Sequence, residues 1–171
     1  MLLHSGLNTA IAHFVAYFFN IDVNLRQSFY DASLLQETMA MSDVLKLNDQ
    51  ELPVVASLCR IPGGETDVLR TLREEYRLEL IALTKGEKGS RLISADTDSS
   101  LPGPAVTVAD TVGAGDAYAA LLAVGILMKW SPEVTLARAT GFASRICTIE
   151  GAIPDSAEFY EPIRKQMRDG E

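Results

Sequence analysis

Two cysteines, two histidines and one tryptophan in 171 residues leave little material for metal or disulfide chemistry. Cys59 and Cys147 are too isolated for a zinc cluster or a disulfide framework. His4 and His13 have no partner pattern around them, and structural or surface roles suit both. Basic charge is also scarce: 15 Lys plus Arg stand against 23 Asp plus Glu, a formal charge of −8. There is no basic stripe of the kind that phosphate-backbone binding needs, so no nucleic-acid partner is expected. Long apolar runs are missing as well. The most apolar stretches, Ala10 to Ile21 and Ala117 to Met128, fall short of the roughly 18 residues that cross a bilayer, so no membrane partner is expected. The N-terminus lacks a basic region followed by a small-residue cleavage site, and with so few cysteines the expected compartment is a reducing cytoplasm. Neither low complexity nor a repeat at about 20 to 50 residues is found, which removes solenoids and propellers.

What is there is apolar enough for a core. Hydrophobic residues make up 47% of the chain, and the length suits a single domain over residues 1–171. Met1 to His4, Phe18 to Val23, Asp43 to Leu47, Leu78 to Thr84, Arg91 to Ser94 and Ala105 to Val108 read as strands. Asp31 to Met41, Asp49 to Leu58 (despite Pro53), Thr66 to Tyr76, Ala117 to Met128, Glu133 to Ile149 and Phe159 to Met167 have helical spacing, and Asp96 to Ser100 reads as a polar turn. That alternation predicts an α/β fold: three layers, a mostly parallel sheet with helices on both faces. Met1 begins almost inside a strand, so strands that would precede it are expected to be missing. An unpaired Met1 to Ser5 strand predicts association through an exposed sheet edge, or a homodimer.

The most informative local pattern is Asp110-Thr111-Val112-Gly113-Ala114-Gly115-Asp116, between a short strand and an apolar helix. Two glycines let successive N–H groups turn inward and the helix start adds partial positive charge, so the loop is suited to an anion such as a phosphate. Asp116 repels that anion unless it takes a proton from the group attacking it. The plainer alternative is a favourable acid in the first helical turn. A dinucleotide fingerprint would need Gly where Tyr118 stands, and a Walker loop is absent, since Gly86-Glu87-Lys88-Gly89-Ser90 matches only half of one.

The Asp110 to Asp116 run, followed by Ala117-Tyr118, resembles the D-T-x-G-A-G-D signature of the ribokinase-like (PfkB) carbohydrate kinases. Three further segments fall in that family's order. Asn48-Asp49-Gln50-Glu51 matches N-x-x-E, Thr84-Lys85-Gly86-Glu87-Lys88-Gly89 matches T-x-G-x-x-G, and Gly151-Ala152-Ile153-Pro154 resembles G-A-x-P. Asp22-Val23-Asn24-Leu25-Arg26 resembles a segment of the fructokinase and ketodeoxygluconate kinase branches. The resemblance covers the whole chain but corresponds to the C-terminal half of the family.

The resemblance implies a ribokinase-like fold without its N-terminal strands and lid, and ATP-dependent phosphoryl transfer to a hydroxymethyl group of a sugar such as fructose. ATP and the sugar are then the small-molecule partners, and Mg²⁺ the cofactor. By the same resemblance the amides of Gly113, Ala114 and Gly115 form an anion hole, and Asp116 is the base. Asn48, Thr84, Lys85, Gly86, Glu87, Gly89 and Gly115 serve the nucleotide, with Thr140 where the family often has Asn or His beside adenine. Asn24, Arg26 and Asp116 face the sugar, and Glu51 orders Mg²⁺ through water. Asp110, Val112, Ile146, Ile149, Gly151 and Asp155 match a monovalent-cation loop, which makes K⁺ a candidate ion. The family's glycine pair, sugar-gripping carboxylate and β lid lie in the half not represented here. The competing reading is therefore a non-catalytic module, truncated or regulatory, that binds adenine nucleotide.

Overall fold

A computed structural model of the chain describes residues 20–22 and 31–169. Five strands form one sheet in the order β1-β2-β3-β4-β5: β1 Asn20–Asp22, β2 Val44–Asn48, β3 Leu80–Thr84, β4 Ser90–Ile93 and β5 Asp98–Leu101. β1 runs parallel to β2 and β2 to β3, and the register sets Asn48 beside Thr84 at the C-terminal ends of neighbouring strands. Parallel strands need helical crossovers. α1 (Ala32–Ala40) precedes β2, while α2 (Glu51–Cys59) and α3 (Glu65–Glu75) connect β2 to β3. The strand Met1 to His4, and with it the proposed open edge, lies outside the described residues.

Contacts divide the chain into two compact units, residues 1–84 with 92–98 and residues 85–91 with 99–171. In the first, alternate residues of β2 and β3 (Leu45, Leu47, Ile81, Leu83) join Leu35 and Met39 of α1, Val55 of α2 and Leu69 and Leu72 of α3 in one core. The other faces of these strands are buried too, at Val44, Lys46 and Ala82. Burial of both faces is what a parallel sheet between helical layers requires. Asp31 caps α1 by accepting a hydrogen bond from the Leu34 amide at 2.7 Å. Pro53 is tolerated in the first turn of α2, where its missing N–H would have had no intrahelical partner.

The second unit is built on α4 (Ala114–Leu127) and α5 (Pro132–Ile146). Gly125 lets them approach: a Cβ there would sit 2.6 Å from Thr135 Oγ1. Ser131 caps α5 and Pro132 fills its first position. A 3₁₀ turn over Ala157–Tyr160 leads into α6 (Glu161–Asp169).

Four sequence expectations shift. Ala105 to Val108 forms no strand; the stretch is exposed, Pro102 and Pro104 supply no N–H on its N-terminal side, and no ladder partner meets it among the described residues. The turn expected over Asp96 to Ser100 instead gives way to β5, a polar strand that pairing with β4 imposes on Asp-Ser-Ser-Leu. α4 begins three residues earlier than its apolar run, because Ala114, Gly115 and Asp116 enter the helix, and α5 stops at Ile146 rather than Ile149.

Candidate active site

The N-x-x-E segment forms a reciprocal helix cap. Asn48 Oδ1 accepts from the amides of Gln50 and Glu51 at 2.9 Å each, and Glu51 Oε2 accepts from the Asn48 amide at 2.8 Å. This satisfies donors that the start of α2 would leave open. The Asp49 amide donates to the Thr84 carbonyl at 3.0 Å, which fixes the cap to the end of β3. Glu51 is 9% exposed, and its Oε1 has no protein partner among the described residues. A carboxylate oxygen at a strand end, held by its other oxygen, fits a hydrated Mg²⁺, which keeps most of its waters.

The cap and metal roles separate experimentally. Glu51→Gln keeps an acceptor for the Asn48 amide, so thermal stability should stay close to that of the parent while the Mg²⁺ dependence of nucleotide binding weakens. Glu51→Ala should also cost about 1 kcal/mol of stability. Equal melting temperatures for Gln and Ala variants would contradict the cap.

Beyond Thr84, the Lys85 amide donates to the Gly89 carbonyl at 2.8 Å, closing a turn around Gly86–Lys88. Gly89 has φ +90°, and a Cβ there would lie 1.9 Å from the Leu101 carbonyl oxygen, so no side chain is possible without moving the backbone. Glu87 is exposed on this turn.

In the second unit, Gly113 starts α4 in the left-handed region at φ +83°, with no side-chain cap. A Cβ on it would meet Ala152 Cβ at 2.6 Å, so the Gly113 turn rests directly on the Gly151-Ala152 turn. Asp110 holds the same two segments together: Oδ1 accepts from the Val112 amide at 3.0 Å and Oδ2 from the Gly151 amide at 3.1 Å. The Ala109 and Asp110 amides both reach the Cys147 carbonyl. The result is a braced helix start in which the Ala114 amide donates to the Thr111 carbonyl at 3.3 Å, the Gly115 and Asp116 amides have no intrahelical acceptor, and Asp116 is exposed.

The Val112 and Gly151 amides hold the Asp110 carboxyl below its ordinary value of 3.8. A depressed folded-state pKa means that the ionised group stabilises the fold above the unfolded value and loses that effect as pH falls through the folded one. The stability difference between the parent and Asp110→Asn should therefore be full at pH 6 and shrink below about pH 4. A difference that stays constant from pH 6 to pH 2.5 in thermal melts would remove the charge from the account.

Of the expected cation-loop residues, Asp110 and Ile146 already accept hydrogen bonds. Both Asp110 oxygens accept amides, and the Ile146 carbonyl accepts from the Ile149 amide at 3.2 Å. Ile146 is buried, and Asp155 is exposed. Thr140 is 4% exposed and its Oγ1 lies 2.6 Å from Ser90 Oγ, so its hydroxyl is engaged inside the unit. Asp22 ends β1 opposite Lys46 in register; Asn24 and Arg26 lie outside the described residues.

Sequence reasoning did not anticipate the reciprocal cap or the seat that Ala152 provides for Gly113. The first was readable, since Asn followed by Glu three residues later at a helix start is a capping pattern. The second was not, because it joins residues 39 positions apart through backbone shape alone.

Comparison with known proteins decides the family. The model of the pfkB family of carbohydrate kinases matches residues 7–158. The chain belongs to that family. It is 34% identical to a probable fructokinase-5 of Arabidopsis thaliana over 66% of this chain and 36% of the relative. It is 28% identical to a fructokinase of Escherichia coli over 69% of this chain and 38% of the relative. A Thermotoga maritima ribokinase superposes with TM-score 0.65 at 23% identity, over 76% of this chain and 44% of that one. A ligand-free nucleoside kinase of Burkholderia thailandensis gives 0.69 at 20% identity, over 88% and 46%. The pfkB chain thus has the ribokinase-like α/β fold and spans about a third to two fifths of the length of these curated relatives. No helix among its described residues is long and apolar enough to cross a membrane.

Proposed function

We propose that this pfkB chain is the nucleotide-binding and catalytic-base part of an ATP-dependent kinase that phosphorylates a hydroxymethyl group of a sugar, fructose being the first candidate. The observation that carries the reading is the braced Gly113 turn with Asp116 in the exposed first turn of α4. Phosphoryl transfer through a loose transition state asks for position and charge stabilisation more than covalent help. The amides of Gly113, Ala114 and Gly115 stabilise negative charge on the transferring group, and Asp116 accepts the proton of the attacking hydroxyl. A carboxylate is a weak base, but the alcohol turns acidic late, when its bond to phosphorus is forming, and a nearby carboxylate then suffices. Lys85, Gly86 and Gly89 serve the nucleotide phosphates. Glu51, steadied by Asn48, would hold waters of Mg²⁺, an ion that would supply positive charge to the nucleotide phosphates.

The fructokinase relatives support a sugar acceptor. The nucleoside kinases among the structural neighbours share the fold alone and leave the acceptor to experiment. Incubating the purified chain with ATP, Mg²⁺ and fructose, ribose, 2-keto-3-deoxygluconate or adenosine, and following phosphate esters by ³¹P NMR, tests both the activity and its acceptor. The second reading is a nucleotide-binding module without turnover. Saturable ATP binding with no ester formed from any acceptor would select it. The monovalent-cation loop belongs to the proposal as well, and exchanging K⁺ for a tetraalkylammonium salt in the same assay should slow transfer.

A further inference from the structure

Within the second unit, α5, α6 and the turn before α6 line a half-open cavity of about 300 Å³. Its apolar wall includes Phe142, Phe159 and Ile163, while its polar groups are Arg138, Arg145 and Gln166; no acidic residue lines it. Both arginines face aromatic rings. The Arg138 guanidinium stands 4.1 Å from the centroid of Trp130 and that of Arg145 4.5 Å from the centroid of Phe159. Neither forms an ion pair among the described residues, and Arg138 Nη1 is buried with no hydrogen-bond partner among them. A guanidinium stays charged at any accessible pH and carries five donors in a fixed fork. Stacking on a ring offsets part of the desolvation cost but satisfies no in-plane N–H. A buried, unbonded guanidinium nitrogen is costly unless an acceptor arrives.

We infer that this cavity is a second binding site, separate from the Gly113–Asp116 helix start, for a small organic anion that carries one oxyanion group on an aromatic body. The oxyanion pairs with Arg138 and Arg145, and the body fills the space beside Phe142 and Phe159. The volume matches the lower end of small-molecule sites, which explains why a single ring suffices. Nothing in the phosphoryl-transfer chemistry requires these residues, so the site can fail or stand independently of the proposed function.

Trp130 is the only tryptophan in the chain, so its fluorescence reports on the Arg138 stack. Phenyl phosphate titrated into the full chain should change Trp130 emission saturably, while benzyl alcohol and inorganic phosphate at equal concentration should not. Arg145→Gln leaves the Trp130–Arg138 stack in place and should weaken phenyl phosphate by about tenfold or more, the loss expected for charge-assisted hydrogen bonds. Saturating Mg-ATP should not displace the probe. Calorimetry on the same samples guards against a fluorescence change without binding. The inference is overturned if a cooperatively melting chain shows no saturable binding, if Arg145→Gln binds as tightly as the parent, if benzyl alcohol binds equally well, or if Mg-ATP competes.

Discussion

Asp116→Asn should abolish most phosphoryl transfer while leaving nucleotide binding intact. The substitution keeps size and shape at exposed Asp116 in the first turn of α4 and removes one negative charge beside the amides proposed to hold an anion. Affinity for Mg-ATP should therefore hold or improve slightly. Ester formation, in this chain or in a fusion to the N-terminal half of a fructokinase, should fall by roughly 10² to 10⁴, as for loss of a general base. A fall in rate with equal loss of binding would point to a disturbed helix start rather than lost chemistry. Full activity in Asp116→Asn would leave Asp116 as no more than a favourable acid at a helix start.

Gly113→Ala should have a large structural effect at the start of α4. An alanine at φ +83° costs about 1 to 2 kcal/mol of backbone strain. Its Cβ would also approach Ala152 Cβ to 2.6 Å, and relieving such overpacking typically costs a further 1 to 3 kcal/mol or so. Together they predict a loss of about 2 to 5 kcal/mol and a melting temperature lower by roughly 5 to 15 °C. The turn can relax only by sliding off Ala152, which also redirects the first-turn amides, so Mg-ATP should bind more weakly. Gly141→Ala in α5 is the natural comparison. A Cβ there has no atom within 4 Å, its φ is not positive, and the change should be neutral or stabilising by about 0.5 to 1 kcal/mol. Equal effects of the two substitutions would contradict the special role of Gly113.

These effects show how much of the site the letters carried. Asp31 to Met41 reads as a helix from its helical spacing, and the structure places α1 between those two residues, with Asp31 as its cap. Thr66 to Tyr76 is nearly as clear, with Val68, Leu69 and Leu72 on the buried face of α3. Both are local patterns. β5 was hidden because Asp-Ser-Ser-Leu has little strand preference, and only pairing with β4 extends it. Ala105 to Val108 failed the other way: its residues favour strands, but no partner strand meets them among the described residues. The glycine loop and Asp116 were legible as chemistry, since glycines before a helix and an acid in its first turn are sequence facts. What braces them was not, because Asp110 and Gly113 meet Gly151 and Ala152 through backbone amides and the absence of a Cβ. Thr140 illustrates the same limit, since its burial against Ser90 depends on a partner 50 residues away.

The central claim is that the braced start of α4 holds the phosphates of a nucleotide, and calorimetric titration of the folded chain with Mg-ATP tests it most directly. The account predicts one saturable site, unchanged or slightly tighter in Asp116→Asn and weaker in Gly113→Ala, with about 2.7 kcal/mol of added stability at a hundred times the dissociation constant. No heat at millimolar Mg-ATP, from a sample with a cooperative thermal transition, would contradict it.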